Sequence, residues 1–177
     1  TLLSELFTSL GYKTGLLSTV ENRIGNKRIA ATHTTPDALA LNALLDQMVE
    51  AGCEYAFMEV SSHSVVQHRI TGLTFAGAIF SNLTHDHLDY HKTFAEYLKA
   101  KKGFFDMLGK EAFALINEDD KNGRVMVQNT RAQVYGYAIK QLTDLNSKDI
   151  ESRIDGQLLR MNDKATWIRT ASELNAY

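Results

Sequence analysis

One rhythm governs what this chain can fold into: short apolar runs alternate with stretches of helical periodicity, from Leu2 to Ile116. Leu2, Leu3, Leu6, Phe7 and Leu10 recur at helical spacing and stop at Gly11. Tyr12 to Thr19 reads as a strand, and Asn22 to Ala31 as a short hairpin turning at Gly25. At His33-Thr34-Thr35-Pro36-Asp37, Thr35 is expected to cap a helix, with Pro36 in its first position and Asp37 at the positive end of its dipole. That helix carries Leu39, Leu41, Leu44, Leu45 and Met48 to Ala51. Tyr55 to Val60 is the next strand, and Ser61-Ser62 caps a short helix running to Arg69. Gly77 to Ser81 is a strand, Thr93 to Leu108 a helix, and Ala112 to Ile116 a further strand closed by Asn117 to Asp120. Strands and helices alternating in this way call for a mostly parallel sheet covered on both faces, with right-handed crossovers: a three-layer α/β fold.

After about Asn129 the pattern becomes β-rich, with strands expected at Val134 to Ala138, Asp144 to Ser152, Ile154 to Met161 and Thr166 to Thr170. The expected organisation is a core over residues 1–130 and a small β-rich extension of the same domain over residues 131–177. The chain opens at Thr1 directly into a helical pattern, and we read it as a fragment. A net charge of −2 gives no nucleic-acid footprint, and no apolar run reaches membrane-spanning length. Cys53 has no second cysteine with which to form a disulfide, which fits a reducing cytoplasm.

Four polar clusters fall at strand ends or helix starts: Thr34-Thr35, Glu59 to His63, His85 to His91, and Asn117 to Asp120. In a parallel sheet the carboxyl ends of the strands share one side, so these clusters should converge on a ligand site. Glu59 stands out because a carboxylate ending an apolar strand needs a cation, either a metal or a lysine or arginine. The spacing His85-x-His87-x-Asp89 resembles the HxHxDH motif of metallo-β-lactamase-like hydrolases. Tyr90 puts His91 one place out, and the βαβ order lacks the β-sandwich such enzymes need.

Glu59-Val60-Ser61-Ser62-His63, Gln67-His68-Arg69, Asn82-Leu83-Thr84, Asp86 to His91 (DHLDYH), Tyr97-x-x-x-Lys101 and Asn117-x-Asp119-Asp120 occur here in order. With Thr34-Thr35-Pro36-Asp37 and the opening helix, they resemble the central domain of the Mur ligases. Within that family they are most similar to the ligases that add the third amino acid to UDP-N-acetylmuramoyl-L-alanyl-D-glutamate. The SSHxxxQHR and DHLDYH strings separate them from folate-polyglutamate ligases of the same fold. The resemblance implies a P-loop NTPase-like fold, ATP and Mg2+ as cofactors, and an amide formed through an acyl-phosphate. It also implies a cytoplasmic, monomeric enzyme of peptidoglycan precursor synthesis.

Carried over by motif, Glu59 is expected to hold the magnesium that bridges the ATP phosphates and His87 a second magnesium. Lys101 matches a lysine that is carbamylated in the family, which would make it an anionic metal ligand; Lys99 and Lys102 flank it, and spacing alone does not choose among the three. Thr34, Thr35, Ser61, Gln67 and Arg69 match positions that hold the UDP-muramoyl dipeptide, and Asn117 an adenine-proximal position. The family's GxxGKT phosphate loop and C-terminal domain do not occur in the sequence, so a fragment inactive by itself, which only binds the dipeptide substrate, is the alternative. The third amino acid, diaminopimelate or L-lysine, is left open.

Overall fold

A computed structural model describes residues 1–84, 88–140, 143–153, 156–161 and 164–168, with side chains over 1–84, 90–140 and 143–145. His85, Asp86 and His87 therefore lie outside the described residues, as do residues 169–177. The chain divides into two compact units, Thr1–Leu73 and Thr74–Tyr177, and each is described by itself.

The first unit runs α1 (Leu2–Ser9), β1 (Thr14–Leu17), β2 (Glu21–Ile24), β3 (Lys27–Ala30), α2 (Ala38–Glu50), β4 (Tyr55–Met58) and α3 (Ser62–Val66). Its sheet has the order β3-β2-β1-β4. β1 and β4 pair in parallel, with Leu17 opposite Met58, and β2 and β3 add antiparallel as the expected hairpin. Gly25 turns that hairpin at φ +56°, a left-handed conformation that suits glycine. β1 is buried along its whole length. α2 lays Leu41 and Met48 on the unit's core with Leu16, Leu17 and Ile24, each such burial being worth about 1.5–3 kcal/mol. Leu39, counted by periodicity with the apolar face, is 85% exposed: in the first turn it points away from the sheet. α1 packs through Phe7, whose ring lies 4.7 Å from Tyr55 and 5.1 Å from Phe57, both edge-on.

The capping expectation needs correction. Asp37, not Thr35, caps α2: its carboxylate accepts from the amides of Leu39 at 3.0 Å and Ala40 at 2.9 Å. Both residue types are good caps, and the chain enters the helix at Ala38, so the residue directly before it takes the role. Thr35 is buried and serves a longer-range purpose described below. α3 is also shorter than expected. It stops at Val66, and His68 reverses the chain at φ +56°.

The second unit runs β5 (Gly77–Phe80), α4 (Leu88–His91), α5 (Phe94–Asp106), β6 (Phe113–Asn117), α6 (Gly123–Met126), β7 (Gln133–Ala138), β8 (Leu145–Arg153), β9 (Gly156–Met161) and β10 (Lys164–Ile168). Its sheet has the order β10-β9-β8-β7-β6-β5. β5 to β8 are parallel, and β8 to β10 antiparallel. The change of texture comes later than expected: β7 still pairs in parallel with β6 across α6, and the antiparallel ribbon begins only at β8. The helix expected from Thr93 is present, and Thr93 caps it through the amide of Glu96. Tyr97, Phe105 and Leu108 pack with Ala78, Phe80, Ala114, Ile116 and Met126 to form the core.

Two predictions follow from these elements. Hydrogen bonds from the amides of Ala40 and then Leu39, with the Arg69 guanidinium nearby, outweigh desolvation and hold the Asp37 carboxyl below its ordinary value of 3.8. A carboxyl with a depressed folded-state pKa contributes stability above its unfolded value and loses it as pH falls through the folded one. The difference in Tm between wild type and Asp37→Ala should thus be full at neutral pH and shrink as pH drops below 3.8; a gap independent of pH would contradict this. At the β6–α6 turn, a Cβ on Gly123 would lie 2.2 Å from the carbonyl oxygen of Asn117. The obstacle is backbone, so Gly123→Ala should cost about 1–3 kcal/mol in denaturant unfolding.

Candidate functional site

In the first unit, the parallel pairing of β1 and β4 brings two strand ends side by side. The ladder continues one step beyond β4, with the Glu59 amide donating to the Leu17 carbonyl at 2.9 Å. This register sets Thr19 against Glu59. The Thr19 amide donates to Glu59 Oε2 at 3.0 Å, and Thr19 Oγ1 lies 2.7 Å from the same oxygen. Thr19 Oγ1 is also 3.0 Å from Thr34 Oγ1. Glu59 Oε1 has no hydrogen-bond or ion-pair partner among the described residues. The lysine or arginine that would give Glu59 a purely structural role is thus missing from them.

Thr35 ties this corner together. It is 1% exposed, and its hydroxyl donates to the Glu59 carbonyl at 2.8 Å while accepting from the Ser61 amide at 3.1 Å. Its own carbonyl accepts from Arg69 Nη1 at 2.6 Å. Arg69 Nε and Nη2 donate to Gln67 Oε1 at 2.9 and 2.5 Å. The left-handed turn at His68 lets residues 67 and 69 meet. Ser61 caps α3, its hydroxyl accepting from the Ser64 amide at 3.2 Å.

The charges in this corner are open. Arg69 is half-buried, and its acceptors among the described residues are both neutral, an amide oxygen and a carbonyl. It forms no ion pair among the described residues. Three of its five donors are occupied, and the remaining edge suits a carboxylate or phosphate. Glu59 offers one uncommitted, hard carboxylate oxygen of the kind magnesium prefers, so it fits the expected cation. A fixed carboxylate and a fixed guanidinium on neighbouring loops can hold a metal and an anion.

In the second unit the structure separates the three lysines of α5. Lys99 is exposed, Lys102 pairs with Asp106 at 2.6 Å, and Lys101 is half-buried with Nζ 5.5 Å from the Tyr97 ring centroid. Asn117 is buried, its Nδ2 donating to the Ser81 carbonyl at 2.8 Å and its Oδ1 accepting from the Asp119 amide at 2.9 Å. Asp120 accepts from the Leu83 amide at 2.8 Å, so the ends of β5 and β6 are joined side chain to backbone. His87 falls outside the described residues, and no group of His, Cys, Asp and Glu able to hold a metal occurs among the described ones. Of the expected residues, the structure brings together Thr34, Thr35, Glu59, Ser61, Gln67 and Arg69. Sequence reasoning missed Thr19; its signal was its place at the end of the strand that pairs in parallel with the Glu59 strand.

Comparison with known proteins gives the family. The family model of the Mur ligase middle domain matches residues 1–175. UDP-N-acetylmuramoyl-L-alanyl-D-glutamate–2,6-diaminopimelate ligase from Cytophaga hutchinsonii is 60% identical over 177 residues, 100% of this chain and 36% of that protein. The ligase of the same name from Phocaeicola vulgatus is 56% identical over 176 residues, 99% of this chain and 36% of its own length. A solved structure of a ligase of that name superposes with a TM-score of 0.83 at 29% identity, covering 99% of this chain and 37% of that one. The chain thus spans just over a third of the length of the curated relatives it matches. With its parallel strand ends, its open carboxylate and its family motifs in order, the chain belongs to the Mur ligase middle domain family.

Proposed function

We propose that these residues form the middle part of an ATP-dependent ligase. It joins diaminopimelate to UDP-N-acetylmuramoyl-L-alanyl-D-glutamate in peptidoglycan precursor synthesis. The observation that carries this reading is the proximity of an uncommitted Glu59 oxygen to an Arg69 guanidinium that forms no ion pair among the described residues, both braced by Thr35. The names of the relatives, at 60% and 56% identity, support diaminopimelate over L-lysine as the third amino acid. Residues 131–177 are read as an extension of the same central domain, and the enzyme as a cytoplasmic monomer.

In this reading Arg69, oriented by Gln67, grips an anionic group of the UDP-muramoyl dipeptide, and Thr34 and Ser61 line its path. Thr35 contributes by bracing, because its hydroxyl is already committed at both ends. Glu59 would hold one magnesium and His87 a second, with Lys101 as a carbamate orienting a metal, and Asn117 shapes the turn beside the adenine. Bound magnesium would neutralise charge on the ATP phosphates as the substrate carboxylate is phosphorylated. The amine of diaminopimelate then attacks the acyl-phosphate carbon, the amide C–N bond forms, the C–O bond to phosphate breaks, and inorganic phosphate leaves.

The test is phosphate release by the complete ligase carrying this chain, given ATP, Mg2+ and the UDP-dipeptide with either diaminopimelate or L-lysine. Turnover with diaminopimelate is expected, and turnover with neither would sink the reading. Arg69→Ala should raise the KM for the UDP-dipeptide about 10- to 100-fold, the worth of a charge-assisted hydrogen bond; Arg69→Lys should recover little, since an ammonium lacks the fork that spans Gln67 and Thr35. Lys101→Ala should cut kcat at least about 100-fold, in the range seen when a charge-stabilising group is removed. Full activity in that variant would remove the carbamate assignment.

A further inference from the structure

We infer that Thr19 is a positioning residue which aims the Glu59 carboxylate at its cation and links that carboxylate to Thr34. The inference rests on the proposed reading that Glu59 holds a divalent cation and Thr34 lies on the nucleotide-sugar path. It adds a residue that none of the family motifs quoted above contains.

Three contacts carry it. Thr19 presents two donors, its amide at 3.0 Å and its hydroxyl at 2.7 Å, to one and the same oxygen of Glu59. Two donors converging on Oε2 fix both the rotamer and the roll of the carboxylate. They also leave Oε1 as the oxygen without a partner among the described residues. A freely rotating glutamate on an exposed strand end would lose side-chain entropy on capturing a metal; one already pinned has little left to lose. Hydrogen-bonded partners of metal-binding carboxylates commonly set metal affinity in this way.

The third contact is Thr19 Oγ1 to Thr34 Oγ1 at 3.0 Å. A hydroxyl has one proton, and of its two neighbours the carboxylate is the stronger acceptor. Thr19 Oγ1 is the donor toward Thr34 as well, so its single proton serves the Glu59 carboxylate first and Thr34 Oγ1 second. Thr34 Oγ1 thus sits within hydrogen-bond reach of the same group that orients the metal ligand. Replacing Thr19 should disturb both half-sites at once, and neither Glu59 nor Thr34 needs to move for this to happen.

Thr19 is exposed and lies two residues beyond the end of β1, so substitution there spares the core. The experiment compares Thr19→Val, Thr19→Ser and Glu59→Gln in the complete ligase. Mn2+ is titrated by the paramagnetic resonance of the free ion in the presence of a non-hydrolysable ATP analogue, and the KM for the UDP-dipeptide is measured alongside. Thr19→Val should weaken Mn2+ binding about tenfold and raise that KM several-fold, while Thr19→Ser stays within about twofold of wild type on both. If Glu59→Gln loses the Mn2+ site but Thr19→Val keeps wild-type affinity, the Thr19 inference fails and the Glu59 reading survives. If Thr19→Ser is as impaired as Thr19→Val, the methyl rather than the hydroxyl matters, and the inference again fails. If Glu59→Gln binds Mn2+ as tightly as wild type, both fall.

Discussion

The buried hydroxyl of Thr35 ties three pieces of chain that meet nowhere else in the sequence. It donates to the carbonyl of Glu59 and accepts from the amide of Ser61, while the Thr35 carbonyl receives Arg69. Without it, the end of β4 and the start of α3 would leave a part-buried donor and acceptor without this partner, each net hydrogen bond being worth about 0.5–1.5 kcal/mol. Its position is itself a consequence of the β1–β4 pairing, which fixes where β4 ends. The same hydrogen bonds that satisfy the backbone at this corner therefore also place Glu59 and Arg69.

The second unit uses the same economy with different residues. Asn117, Asp119 and Asp120 spend their side chains on backbone amides and carbonyls: Asn117 on Ser81, Asp119 on Ile139, and Asp120 on Leu83 and Asn122. Three acidic residues in a row, Glu118 to Asp120, look from composition like a solvated turn or a metal cage. Here Asp119 and Asp120 join the ends of β5, β6 and β7, and Glu118 pairs with Arg124. Such turns hold the loops at the carboxyl ends of parallel strands rigid, which a ligand site there requires.

Most of the architecture was legible because periodicity and parallel pairing are local or pairwise rules. The alternation of apolar strands with helical patterns announced the sheet, and Gly25 the hairpin. What was not legible depended on distances through space. Thr35 and Asp37 are equally good caps on paper, and only the partners of Thr35, 24 and 26 residues away, decide between them. Lys99, Lys101 and Lys102 differ by what each one touches, which no spacing encodes. Thr19 was passed over because a threonine ending a strand is ordinary until the neighbouring strand supplies a carboxylate. The motif comparison pointed to Glu59 and Arg69 as candidates; the contacts that leave each with an open edge are not included in the motifs.

The central claim is that Glu59 reaches its cation through one oxygen while the other stays bound to Thr19. The most direct measurement is a crystal structure of the complete ligase with magnesium, an ATP analogue and the UDP-dipeptide. The account predicts a metal ion about 2.0–2.1 Å from Glu59 Oε1, the distance magnesium demands of a carboxylate oxygen, with Thr19 still on Oε2. A Glu59 carboxylate turned to a lysine or arginine, with the metal bound elsewhere, would contradict it.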